Sequence, residues 1–174
     1  LITAGGRATR LRPITSTINK HLIAMANKPM IFYALEKVAE AGITEVGINI
    51  NQGDTELPAA IGNGSRWGIR ITYLEQRGGA KGLAHIIKNA KDQGFLDGPF
   101  LMYLGDNVIL SSIKPMVEKF KNEKLNCLLA LSKVRDPQRF GVPEIQNGRI
   151  VRVAEKPAVP MSQFAITGIY LFDQ

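Results

Sequence analysis

At 174 residues, 45% hydrophobic and 21% charged, the chain is long enough for one domain with a real core and has the make-up of a soluble globular protein. No apolar run approaches the ~20 residues that cross a bilayer, and no charged n-region marks a signal peptide. The net charge of +7 raises the question of nucleic acid, but the basic residues are scattered and no zinc-finger, helix-turn-helix or RNP pattern gathers them. A small anionic ligand accounts for them better.

The chain opens on an apolar strand that runs into Ala4-Gly5-Gly6-Arg7-Ala8-Thr9-Arg10-Leu11-Arg12-Pro13. Adjacent glycines let the backbone turn tightly and bring its N–H groups against a ligand. Thr9 adds a hydroxyl, and Arg10 and Arg12 add fixed forks that suit phosphate oxygens. The loop is suited to a polyphosphate; the plainer reading is a basic turn at a strand end. It is not a dinucleotide fingerprint, because the third glycine is absent and Pro13 interrupts the helix that should follow. Neither this loop nor Gly78-Gly79-Ala80-Lys81-Gly82 supplies a P-loop. The start inside a strand suggests that a few upstream residues are missing.

Further along, Pro29 fits a first helical turn, and Met30, Tyr33, Ala34, Lys37, Val38 and Ala41 recur at helical spacing until Gly42. Residues 45–50 read as a strand, Asp54 or Thr55 as the start of a short helix ending near Gly62-Asn63-Gly64, and 69–74 as a strand. A helix over 81–92, a nearly all-apolar strand over 100–104 and a helix over 112–122 follow. An all-apolar strand is expected at the centre of a parallel sheet. From residue 126 strand-like runs succeed one another at 127–134, 142–146, 149–153 and 165–172, which suggests an antiparallel region. Alternating strands and helices therefore predict an α/β fold with a mostly parallel sheet covered on both faces. The lone Cys127, in an apolar run, reads as a buried core thiol of a cytoplasmic protein. With no repeats or linkers, residues 1–174 are taken as one domain, and the ending in a strand-like stretch reads as a truncation.

Asp106 follows the central strand directly. Ligands of open α/β sheets bind beyond the carboxyl ends of the strands, so Asp106 should face the crevice of the opening loop. A lone carboxylate beside phosphates suits Mg²⁺. An Asx turn or helix cap is the other reading, and the phosphate loop favours the metal. Lys20 and Lys156 taken singly are surface charges. Gln76 could pair its amide with the N3–H and carbonyl of a pyrimidine, or simply decorate a loop. His85 and Trp67 read as structural.

Several short motifs then occur in order: Gly5-Gly6-x-x-Thr9-Arg10-Leu11-Arg12-Pro13, Lys20, Lys28-Pro29-Met30, Gly62-x-Gly64-Ser65-x-Trp67-Gly68, Gly82-Leu83-Ala84, Leu104-Gly105-Asp106-Asn107, Phe140-Gly141-Val142, Glu155-Lys156-Pro157 and Thr167-Gly168-x-Tyr170. With these, the chain resembles the sugar-phosphate nucleotidylyltransferases, most closely the glucose-1-phosphate thymidylyltransferases, over its whole length. The resemblance implies a Rossmann-like three-layer sandwich. Residues 1–125 would be its nucleotide-binding half and 126–174 the start of an antiparallel sugar-phosphate-binding half.

The resemblance also implies roles. Gly5, Gly6, Arg7, Ala8, Thr9 and Arg10 would hold the nucleoside triphosphate, with Arg10 neutralising the departing pyrophosphate. Lys20 would contact phosphate near the reacting centre, and Gln76 and Gly82 would hold the base and nucleoside. Asp106 would bind Mg²⁺. Gly141, Glu155, Lys156 and the segment Ile166-Thr167 would hold the sugar phosphate, with the lysine on its phosphate. The implied catalytic set is Arg10, Lys20, Asp106 and Lys156. A phosphate oxygen of glucose 1-phosphate would attack the α-phosphorus of dTTP in line, with positioning and charge neutralisation supplying most of the rate.

Two departures stand out. Ala8 replaces a loop glycine of the family, which costs about 1 kcal/mol or more if that position needs a positive φ. The family's second metal-binding aspartate falls beyond this chain, which implies nucleotide binding with poor turnover. UTP in place of dTTP is the near alternative, since one methyl is worth only ~1–3 kcal/mol. A non-catalytic nucleotide-binding module is the more distant one. The expected partners are these small substrates, with no nucleic acid, no membrane and room for a homo-oligomer.

Overall fold

Strand β1 (Ile2–Thr3) sits between two longer strands, β4 (Glu45–Ile50) and β6 (Phe100–Leu104), and runs parallel to both. Strand β5 (Arg70–Glu75) adds in parallel on the far side of β4. The computed structural model describes residues 1–6, 19–79 and 81–173. On the other side of β6, the late strand β10 (Phe164–Phe172) inserts antiparallel, and β7 (Cys127–Lys133) closes that edge, giving the order β5-β4-β1-β6-β10-β7. Two small antiparallel pairs stand apart: β2 (Ala24–Met25) with β3 (Lys28–Pro29), and β8 (Gly141–Gln146) with β9 (Arg149–Glu155).

Period-two alternation sorts the sheet's side chains into two cores. Val46, Ile48 and Ile50 of β4 and Leu101 and Tyr103 of β6 join the larger one. There they meet α1 (Met30–Glu40) through Ile31, Ala34, Leu35 and Val38, α2 (Glu56–Ile61) through Leu57 and Ile61, and α4 (Lys114–Glu123) through Val117 and Phe120. Gly47, between Val46 and Ile48, faces the other way, and a Cβ there would lie 2.5 Å from the Phe95 ring and 2.9 Å from Leu74. On that face α3 (Leu83–Asp92) packs Ile86 and Ala90 against Leu1 and Leu74. Helix, sheet and helix form the three layers expected, and Trp67 packs its ring edge-on against Phe32 at 4.9 Å, a structural role as anticipated.

Element ends follow local chemistry. Asp54 rather than Thr55 caps α2, its Oδ1 accepting from the N–H groups of Glu56 at 3.1 Å and Leu57 at 3.2 Å. The third helix starts at Leu83, not 81, because Gly82 holds φ +89° and ψ −179°, a conformation only glycine adopts cheaply. Strand β6 is central but not flanked by parallel strands on both sides, since β10 meets it antiparallel. One expectation is overturned: Cys127 is exposed, not buried. Its apolar run forms β7, the edge strand paired only with β10, so the edge leaves its first residue in solvent. Among the described residues no helix is long and apolar enough to cross a membrane.

Candidate functional site

The parallel strands β1, β4, β5 and β6 all end on one side of the sheet, and Gly5, Gly6, Gln76 and Asp106 follow those ends. After β1, Gly5 runs so close to two buried amides that an added Cβ would sit 2.7 Å from Asn49 Nδ2 and 2.8 Å from Gln76 Oε1. Gly6 comes next, and a Cβ there would touch the Lys20 Cε and Nζ at 3.4 Å. Arg7, Ala8, Thr9 and Arg10 lie outside the described residues.

After β6, Gly105 passes so near β1 that a Cβ would lie 2.5 Å from the Thr3 carbonyl oxygen. Asp106 then meets Lys20, its Oδ2 accepting from Nζ at 2.6 Å, with the two side chains 41% and 19% exposed. The lysine's short turn is pinned by Asn19. Its Oδ1 accepts from the His21 N–H at 3.1 Å and faces His21 Nδ1 at 2.9 Å, while its Nδ2 donates to Asp54 Oδ2 at 2.9 Å. Burial pushes the Asp106 carboxyl up, but the Lys20 hydrogen bond and charge outweigh it and leave the group below its ordinary value. Burial first and the Lys20 charge second push His21 down to about 4, against the opposing pull of Asp106. At neutral pH the His21 imidazole beneath the pair is therefore uncharged.

After β5, Gln76 is 8% exposed, donates from Nε2 to the Gly79 carbonyl at 2.8 Å and accepts at Oε1 from Asn49 at 3.2 Å. One N–H and one lone pair of its amide are left over. His85 Nε2 lies 2.7 Å from the Arg77 carbonyl, and Asn89 Nδ2 donates to the same oxygen at 3.2 Å, so His85 helps fasten α3 to the end of β5. Gly82 has open space where its Cβ would be and touches none of the other expected residues there.

The residues expected to hold sugar phosphate form a second group. Gly141 pairs with Glu155 across the β8–β9 hairpin, and a Cβ on it would lie 3.4 Å from Glu155 Oε2 and 3.5 Å from Ile166 Cδ1. Lys156 turns out of the hairpin at φ +45°, its N–H donating to the Phe140 carbonyl at 3.0 Å and its Nζ 3.3 Å from Glu155 Oε1. The two groups are joined by a residue outside the expected set. Asn107 donates from Nδ2 to the Thr167 carbonyl, in the β10 bulge between Ile166 and Tyr170, and its own carbonyl accepts from the Tyr103 hydroxyl at 3.3 Å. The loop that carries Asp106 is thus tied to the bulge beside Ile166. Asn49 and Asn107 were the site residues missed. The first is signalled only by a polar residue inside an apolar strand, the second by its place next to Asp106.

A cleft of about 1030 Å³ opens at the opposite end of the sheet, among Thr44, Arg70, Phe95, Phe100 and Lys121, and among the described residues none of the expected site residues lines it. Among the described residues no cluster of three or more His, Cys, Asp and Glu side chains could hold a metal unaided.

Open α/β sheets take their ligands in the crevice beyond the carboxyl ends of the strands, which is where the Lys20–Asp106 pair stands. The protein-family model described as nucleotidyl transferase matches residues 1–174, and the chain belongs to that family. More particularly, it is 42% identical to a glucose-1-phosphate thymidylyltransferase of Streptomyces griseus and 45% identical to one of Streptomyces antibioticus, each over 99% of this chain and 48% of the relative. The chain thus spans about half the length of these curated relatives. Its fold superimposes, at a TM-score of 0.92 and 38% identity, on a Bacillus anthracis protein assigned as a glucose-1-phosphate thymidylyltransferase and crystallised with sucrose. That match covers 99% of this chain and 70% of the other.

Proposed function

We propose that this chain binds dTTP and glucose 1-phosphate and transfers a thymidylyl group between them, releasing pyrophosphate and forming dTDP-glucose. The observation that carries this reading is the Lys20–Asp106 pair beside Gly6, tied through Asn107 to the bulge next to Ile166, Gly141 and Glu155. One crevice then offers cationic and carboxylate groups for a triphosphate on one side and a glycine, a carboxylate and Lys156 for a sugar phosphate on the other. The activity named for the relatives from Streptomyces supports the same assignment.

In the reaction a phosphate oxygen of glucose 1-phosphate forms a bond to the α-phosphorus of dTTP. The bond from that phosphorus to the bridging oxygen breaks, and its electrons leave with pyrophosphate. Lys20 holds phosphate charge near the reacting phosphorus, and Arg10, on the sequence argument, neutralises the leaving group. Lys156 holds the attacking phosphate and Glu155 accepts from sugar hydroxyls. No side-chain nucleophile takes part, so alignment and charge complementarity supply the rate. Gln76 and Gly82 hold the base and nucleoside.

The Asp106 carboxylate fits Mg²⁺: it is a hard oxygen donor, kept ionised by Lys20 and half open to solvent. As the only carboxylate of the pair, it needs substrate oxygens to complete the ion's coordination. A bound Mg²⁺ supplies neutralisation of triphosphate charge. Phosphorylated sugars and nucleotides place this chemistry in the cytoplasm.

Asp106→Ala and Lys20→Ala test the assignment. The pair is partly exposed, so each variant should change urea stability by less than about 1 kcal/mol. Product formation should fall at least ~100-fold in both, on the scale of losing a charge-stabilising group. Unchanged product formation in either folded variant would remove that residue from the proposed machinery.

A further inference from the structure

Asn49 has no place in an economical core. It interrupts the apolar run Val46-Gly47-Ile48-Asn49-Ile50 and is 1% exposed, on the face of β4 that looks toward α3. Its Nδ2 donates to Gln76 Oε1 at 3.2 Å, but its Oδ1 is buried with no hydrogen-bond partner among the described residues. An unpaired buried acceptor destabilises the fold, and a leucine or valine here would avoid that cost. The amide stands where Gly5, Gln76 and β4 close together with no room for a Cβ on the glycine.

We propose that Asn49 is a positioning residue for base recognition, one that helps the Gly79 carbonyl hold which end of the Gln76 carboxamide is oxygen and which is nitrogen. This rests on the reading that Gln76 meets the nucleobase. A primary amide turned end for end keeps its shape, so only its partners decide its direction. The Gly79 carbonyl can only accept and so requires a donor on one side of Gln76, and the Asn49 amide turns its N–H group to the Gln76 oxygen on the other. Both choose the same orientation. Thymine offers a donor at N3 beside an acceptor at O4; cytosine offers an acceptor at N3 beside a donor at N4. A glutamine free to turn serves either base, whereas one held at both ends, by Asn49 and by the Gly79 carbonyl, serves one and leaves unpaired groups against the other.

The test is equilibrium binding of dTTP and dCTP to the wild-type chain and to Asn49→Leu, with thermal unfolding of both. Wild type should favour dTTP by about tenfold, one hydrogen bond's worth of discrimination. Asn49→Leu should bring the two affinities within about threefold with little change in the unfolding midpoint, because the unpaired Asn49 oxygen it removes offsets the Gln76 oxygen it leaves without a donor. Asn49→Ser, too short to reach Gln76, should show the same loss of preference and covers the case in which leucine does not fold. Retained dTTP preference in a folded Asn49 variant overturns the inference while leaving the function intact. An equal loss of both nucleotides with a lowered midpoint also overturns it, by making Asn49 merely structural. A wild type that binds dTTP no better than dCTP overturns the base-reading role of Gln76 itself, and the inference with it.

Discussion

Lys20 and Asp106 stand 86 positions apart in the chain and 2.6 Å apart in space. Asp106 is marked for ligand work by its place after an apolar strand, whereas Lys20 taken singly reads as a surface charge and gains its phosphate role only from the family resemblance. Their mutual contact was not readable, since it depends on how close β1 and β6 lie. Nor was His21 singled out. It is 2% exposed and held near 4, below its ordinary value of 6.5. The sign of its effect on stability is fixed by that lowering. Between these two values the unfolded chain binds a proton that the folded one refuses, so stability is full above pH 6.5 and is lost as pH falls toward 4. The full loss is about 3 kcal/mol. Urea titrations from pH 7.5 to 4 should show this slope, and His21→Asn should flatten it. Equal slopes in the two proteins would mean that other groups govern acid stability.

At the scale of elements, local periodicity placed β4 and β6 at their observed bounds, while α3 starts late after Gly82 and α4, expected over 112–122, is found over Lys114–Glu123. The bulge in β10 was out of reach of any such pattern, because its cause is non-local. Gly168 adopts φ +74°, and a Cβ there would collide with Asn107 and with the Leu104 side chain. That glycine lets Thr167 offer its carbonyl to Asn107, so the bulge couples the two halves of the crevice. Gly168→Ala should destabilise the protein by roughly 2–3 kcal/mol, from about 1 kcal/mol of left-handed backbone strain plus overpacking. Glucose 1-phosphate affinity should weaken more than dTTP affinity. Equal affinities with normal stability would show that the bulge tolerates a side chain and does not set the sugar side.

Taken whole, the molecule sets Gly5, Gly6, Gln76 and Asp106 beyond the C-terminal ends of its parallel strands, while none of the described expected site residues lines the cleft at the opposite end. The α/β class and the antiparallel late strands were readable because each strand carries its own apolar pattern. That β10 slides between β6 and β7, turning Cys127 into an edge residue, was not, since both neighbours are chosen by distant pairing. The measurement that bears most directly on the central claim is a single-turnover reaction, with the chain in excess over α-labelled dTTP in the presence of glucose 1-phosphate and Mg²⁺. It registers product even when turnover is slow. The account predicts labelled dTDP-glucose, suppressed by EDTA and exceeding the product from UTP, CTP, ATP or GTP. Bound dTTP that never becomes dTDP-glucose would contradict it and leave a nucleotide-binding module on a transferase fold.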